Sequence, residues 1–254
     1  MDLTTLDGLD LASVVADQPD PLIFATVSGA HLYGFPSRDS DVDLRGAHLL
    51  PVAELIGLGA PEETRSRIWD RDGVETDLVT HDLRKFVRLL LRPNGYVQEQ
   101  LLSPLVVHTT DVHAELTALA PGALTGRHAH HYRGFAKTQW ALYEKSGELK
   151  PLLYTFRALL TGIHLMRSGR VLASLPLLLD EISDPVPAYL PELIAAKAEA
   201  EHGTGAGIVP ASAAGDVAAL HAVLDRAQGD TDLPAEPSVH DALGDLVVRV
   251  RLAR

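Results

Sequence analysis

An α/β or α+β front half followed by an all-helical back half is the architecture this sequence predicts, on three observations. Strand signals crowd into residues 1 to about 110 and nearly vanish afterwards. From about residue 111, apolar residues recur at helical spacing in stretch after stretch. One segment of the front half, "VSGAHLYGFPSRDSDVDLRG" from Val27 to Gly46, joins a glycine turn to Asp39, Asp41 and Asp43 at every second position. The expected division is a mixed domain over 1–110 and a helical domain over 111–254.

The elements can be justified in chain order. Pro21 to Val27 is a short apolar run ending near Gly29, the mark of a buried strand, and Ala30 to Tyr33 is helix-like. Asp41 to His48 alternates polar and apolar residues, as a strand with one wet face does. Ser66–Arg71 and Val74–Thr80 flank Asp72-Gly73, a hairpin turn signal. Asp82 to Leu91 reads as an amphipathic helix closed near Pro93. Helices are then expected over 111–120, 128–146, 150–168, 187–202, 211–228 and 238–252, the last opened by a capping box at Ser238 and Asp241. Gly203 to Gly207 and Gly229 to Pro237 read as loops, and there is no internal repeat.

Composition narrows the function classes. Hydrophobic residues make up 46% of the 254-residue chain, enough for a sizeable core. The apolar run around Val171 to Leu179 is broken by Pro176 and too short to span a bilayer, so no membrane association is expected. The N-terminus is acidic where an export signal starts basic, and there is no cysteine, so a cytoplasmic protein is expected. A net charge of −12 repels phosphate backbones and excludes tight, non-specific binding of duplex DNA. It leaves open an enzyme that uses a nucleotide.

The aspartates raise a physical question. In a strand, Asp41, Asp43 and Arg45 share one face while Val42 and Leu44 share the other, so two carboxylates stand side by side and repel. A divalent cation with oxygen ligands offsets such repulsion, and Mg²⁺ favours carboxylates together with substrate phosphates. A solvated acidic edge strand is the competing reading of Asp41-Val42-Asp43 taken alone. Two neighbours favour the cation: Gly29 at a strand–helix junction, where backbone N–H groups can meet an anion, and Asp77 on a separate candidate strand. Three carboxylates can hold two ions roughly 4 Å apart, the layout of metal-assisted nucleotidyl transfer.

Gly29-Ala30, Asp41-Val42-Asp43 and Asp77 resemble the motif of the DNA polymerase β-like nucleotidyltransferase superfamily. Gly29 to Gly34 followed by Asp39 to Gly46 is similar to one subgroup, the predicted nucleotidyltransferases linked to RNA repair. The likeness continues in Leu83 to Phe86, in Asn94 to Pro104 and in Lys150, Tyr154, Arg157, Leu159 and Leu160, with weaker agreement at Lys197. It implies an α+β fold: a polymerase-β-like nucleotidyltransferase core with a short mixed sheet, then an all-helical C-terminal domain. It also implies transfer of NMP from an NTP to an acceptor hydroxyl, with an RNA end, a small molecule or a protein as acceptor. Two Mg²⁺ ions are implied, Mn²⁺ being a substitute.

On that resemblance Asp41, Asp43 and Asp77 are the metal ligands and catalytic residues, Asp77 doubling as proton acceptor. Ser28, Gly29, Ala30, Tyr33, Arg45, Lys150, Tyr154 and Arg157 are the expected nucleotide-binding set. Ala30 stands where the family carries a serine that contacts the triphosphate. Backbone N–H groups or Ser28 would have to replace that hydroxyl, or phosphate binding is weaker by roughly 1.5–3 kcal/mol. The departure motivates a second reading, a non-catalytic nucleotide or metal sensor. Arg45 either steadies an aspartate or touches a phosphate. Lys150, Tyr154 and Arg157 share one helical face and would supply cations and a ring to the nucleotide. Asp39 reads as a turn residue, and His128, His130 and His131 do not converge as zinc ligands need to.

Overall fold

The computed structural model describes residues 5–6, 9–38, 40–71, 74–182, 186–199 and 207–253. Asp39, the Asp72-Gly73 turn and most of Gly203 to Gly207 lie outside them. The chain divides into two compact units, and the fold is α+β. The first unit comprises the chain up to Leu32, Asp41–Ala123 and everything from Glu236 on. The second comprises Tyr33–Ser40 and Leu124–Ala235.

The first unit is built on a five-stranded mixed sheet. In chain order it holds β1 (Thr5–Leu6), β2 (Leu9–Asp10), α1 (Leu11–Ala16), β3 (Leu22–Val27), α2 (Gly29–Tyr33, whose last residue passes to the second unit) and β4 (Val42–His48). Then come α3 (Val52–Ile56), β5 (Thr64–Arg71), β6 (Val74–Asp82), α4 (Leu83–Leu90), α5 (Gly95–Leu101), β7 (Val106–His108) and α6 (Asp111–Leu119). The sheet order is β5-β6-β4-β3-β7, with β4 and β6 parallel and the other neighbours antiparallel. The β5–β6 hairpin is the one expected from sequence, Arg71 pairing with Val74 across the turn.

Alternation along the strands sorts side chains to two faces. Val27, Val42, Leu44 and Leu78 point to a small core closed by Leu9, Leu11 and Val14 at α1. The opposite face, through Phe24 and Ala47, joins a larger core made by α4, α5, α6 and the last helix, α12 (His240–Leu252). Leu243, Leu246 and Val250 of α12 are buried there against the sheet unit, although the sequence assigned that helix to the back half. An amphipathic stripe tells that a helix must be covered, not by which partner. The capping box does not form either. Val239 is the N-cap, without a side-chain hydrogen bond, and the Ser238 hydroxyl donates to the Gly122 carbonyl at 3.3 Å.

The second unit is helical: α7 (His128–Ser146), α8 (Leu149–Ser168), α9 (Leu175–Glu181), α10 (Leu190–Ala198) and α11 (Ala213–Gly229). Buried along nearly its whole length, α8 packs on the other four. The sequence pattern does not reveal α9, because Pro176 interrupts the apolar run; it sits in the helix's first turn, where a missing N–H costs nothing. The segment Tyr33–Ser40 is seated in this unit. Gly34 has φ +82°, and a Cβ there would lie 2.6 Å from Pro176 Cδ, so only glycine fits. Among the described residues no helix is long and apolar enough to cross a membrane.

His128 gives this unit a pH dependence. Its ring is buried and its Nδ1 donates to the Thr125 carbonyl at 3.1 Å, while Nε2 is enclosed without a hydrogen-bond partner among the described residues. Burial pushes its pKa down to about 4, against a hydrogen bond to Thr125 that pulls it up. Between the unfolded value near 6.5 and the folded value near 4, only the unfolded chain binds the proton. The stability is therefore complete above the upper limit and falls as pH drops towards the lower one, by about 3 kcal/mol for this ring. In the sheet unit burial also pushes His81 down to about 4, adding to the slope. Urea melts at pH 7 and pH 5 are expected to show the loss, and His128→Gln to remove its share; an unchanged slope in that variant would assign the effect elsewhere.

Candidate active site

β3 ends in Ser28, whose N–H donates to the Asp43 carbonyl at 2.8 Å and so places the Gly29 turn against the start of β4. Gly29 has φ +61°, and a Cβ built on it would stand 1.9 Å from Asp43 Oδ2. Both facts require glycine. Gly29→Ala is expected to lose about 2 kcal/mol of stability through left-handed strain and to push the Asp43 carboxylate aside. Chemical denaturation measures the first effect; divalent-ion binding reports the second.

The parallel register pairs Asp43 with Asp77. Paired residues on neighbouring strands project from the same face, so the two carboxylates stand side by side at the sheet surface. Arg45 joins them. Its Nη2 donates to Asp43 Oδ1 at 2.6 Å and to Asp77 Oδ2 at 2.9 Å. Nη1 donates to the carbonyls of Leu44 (2.8 Å) and Asp77 (2.9 Å), and Nε to the Tyr96 hydroxyl at 2.8 Å. All five guanidinium donors are thereby engaged. Burial disfavours the charged guanidinium, but Tyr96, Asp43 and Asp77 outweigh it and raise its pKa.

Of the two roles the sequence left open for Arg45, the structure displays the first: it steadies carboxylates, and no N–H remains to reach a phosphate. Tyr96, at the start of α5, was missed by sequence reading. It lies inside the family-like stretch Asn94 to Pro104, which was the available signal. Ile68 was missed as well. It pairs with Asp77 from the β5 side and is 64% exposed, an apolar surface beside the acid.

Asp41 is exposed and just precedes β4. Ser28 Oγ is enclosed and without a hydrogen-bond partner among the described residues, and Ala30 is buried. Tyr33, Lys150, Tyr154 and Arg157 belong to the helical unit. There the Arg157 guanidinium lies 3.9 Å from the centre of the Tyr33 ring, both residues 3% exposed. Tyr154 meets Tyr33 and Phe35 edge-on at 5.4 Å. This stack seats the segment Tyr33–Ser40, helped by a fully buried Lys197 whose Nζ donates to Ser37 Oγ at 3.0 Å. Lys150 is half-buried on α8, the helix of Tyr154 and Arg157.

Among the described residues no group of three or more His, Asp or Glu side chains could hold a metal ion as it stands. The chemistry of the donors nevertheless suits a hard cation. Asp77 Oδ1 is enclosed and without a hydrogen-bond partner among the described residues, and Asp43 Oδ2 is held against the Gly29 turn. Mg²⁺ is ordinarily held by one or two carboxylates plus substrate phosphates, not by a preformed protein cage.

With this geometry in place, sequence comparison decides the family. Residues 6–249 match the RNA repair pathway DNA polymerase beta family. The chain belongs to that family. Within its curated relatives, an uncharacterized protein of Methanocaldococcus jannaschii is 36% identical over 149 residues, which are 58% of this chain. The match spans 61% of that relative, less than two thirds of its length. Among solved structures, a nucleotidyltransferase-like protein from Exiguobacterium sibiricum 255-15 aligns over 96% of this chain and 78% of its own. The identity is 14% and the TM-score 0.34. Family membership extends over Asp43, Asp77, Arg45 and Tyr96 alike.

Proposed function

We propose that the chain is a Mg²⁺-dependent nucleotidyltransferase that moves a nucleoside monophosphate from an NTP to the hydroxyl of an RNA end, releasing pyrophosphate. The observation that carries this reading is the Asp43–Asp77 pair, aligned by register on adjacent strands with one enclosed Asp77 oxygen still unengaged. The RNA acceptor is supported by the family description.

When bound, Mg²⁺ would stabilise charge on the phosphate oxygens. Asp43 and Asp77 are the ligands the chain offers, with Asp41 close in sequence. The Asp77 carboxylate takes the proton of the acceptor hydroxyl as the hydroxyl oxygen bonds to the α-phosphorus and the bond to pyrophosphate breaks. Backbone N–H groups at the Gly29 turn would meet the phosphates in place of the hydroxyl that Ala30 lacks. Ile68 offers an apolar surface for the nucleoside whose hydroxyl Asp77 addresses. With a net charge of −12, the grip on RNA is local to its end. The absence of cysteine suits a cytoplasmic setting.

The test is to incubate the protein with each α-labelled NTP, Mg²⁺ or Mn²⁺, and total RNA or lysate. Label on RNA ends, abolished by EDTA, is the expected result. Label on a protein or small molecule would replace the acceptor and keep the reaction. No label under any condition would remove the enzyme reading and favour the sensor.

A further inference from the structure

We infer that the Arg45 guanidinium, aimed by the Tyr96 hydroxyl, is a built-in counter-cation that occupies the Asp43–Asp77 pair in the ion-free protein, so that a divalent cation must compete with it. The inference rests on the nucleotidyl-transfer reading and assigns Arg45 and Tyr96 as positioning residues.

Two carboxylates side by side on a sheet repel, and without a cation one of them would turn away. A single nitrogen, Arg45 Nη2, bridges them at 2.6 and 2.9 Å, so the repulsion is offset by the chain itself. The guanidinium cannot wander, because its other nitrogens are held by the Leu44 and Asp77 carbonyls and by Tyr96. Arg45 is largely buried, with 11% of its side chain exposed, against 29% for Asp43 and 24% for Asp77. The carboxylates thus keep an open side while the cation between them does not. The pair and Arg45 together carry one net negative charge where the bare pair would carry two. Cation uptake in the absence of nucleotide is correspondingly weakened, and the polyanionic triphosphate restores the balance. The arrangement favours loading of metal with the nucleotide over loading before it.

The experiment measures Mn²⁺ binding by the full chain without nucleotide, from the electron paramagnetic resonance of free Mn²⁺, together with melting in EDTA. Arg45→Met is expected to melt lower than wild type in EDTA, to regain stability with Mn²⁺, and to bind Mn²⁺ about tenfold more tightly. Tyr96→Phe removes one hydrogen bond to the guanidinium and retains the fold should Arg45→Met not. It is expected to tighten Mn²⁺ binding about two- to threefold. Equal or weaker Mn²⁺ binding in the folded variants would overturn the counter-cation role while leaving nucleotidyl transfer intact. If wild type, Arg45→Met, Asp43→Asn and Asp77→Asn all fail to bind Mn²⁺ with or without ATP, metal dependence itself fails, and with it this inference.

Discussion

Asp43→Asn and Asp77→Asn are each expected to lower pyrophosphate release by about a thousandfold or more at saturating NTP and Mg²⁺. Asparagine keeps the size of the side chain and removes the charge, so the loss reads chemistry and not packing. Register places the two residues opposite each other, and each retains the other as a partner for Arg45 when one is changed. The cost to folding is therefore small, about 1 kcal/mol. The two effects separate in one set of samples: melting close to wild type, turnover near background. The double variant is expected to be no slower than either single one, because residues acting as a unit do not add. Turnover within tenfold of wild type in either single variant would refute a catalytic role for the pair.

The largest expected loss of stability lies elsewhere, at Asp82. Its side chain is fully buried at the junction of β6 and α4. One oxygen accepts from the Arg84 N–H at 3.0 Å and caps α4; the other accepts from the Leu50 N–H at 3.1 Å and from the Arg251 guanidinium. Arg251 is on α12 and also donates to the Leu50 carbonyl at 2.7 Å. Removing the carboxylate leaves a guanidinium in a protein interior with its charge uncompensated, besides losing a helix cap. Asp82→Ala is expected to destabilise the first unit by about 3–5 kcal/mol. Urea denaturation followed through that unit measures it. Arg251→Ala should cost a comparable amount, and the double variant less than the sum, since the two losses share one interaction. A loss under 1 kcal/mol for Asp82→Ala would refute the assignment.

Much of the fold could be read along the chain. The strands at Leu22–Val27 and Val42–His48 follow from an apolar run and from alternation, and α7 and α8 from long helical periodicity. The short elements could not be read. β7 has three residues and β1 and β2 two each, too few for any period to show. α5 hides its helical character behind the polar run Gln98-Glu99-Gln100, which is buried, so no apolar stripe marks its inward face. α9 was masked by a proline at its start.

The candidate site divides in the same way. Residue types and spacing along one chain were sufficient to single out Gly29, Asp41, Asp43 and Asp77, because a strand's period of two and a glycine turn are local properties. Which of these meet was decided by hydrogen-bond register between strands more than thirty residues apart, and that pairing aligned Asp43 with Asp77 but not Asp41. Arg45 is the clearest instance. Its place on the aspartate strand beside Asp43 and Leu44 was legible, whereas its bonds to Asp77 and Tyr96 exist only once β4, β6 and α5 have packed. The same holds for Arg157 and Tyr33, whose stacking depends on where a loop is seated.

Acidic groups crowded on one sheet surface must be neutralised from within the fold, and here a neighbouring guanidinium does it before any ion arrives. What the order of residues determined is the inventory of chemical groups; what packing alone decided is which of them touch, since electrostatic neighbours are set by distance through space and not along the chain.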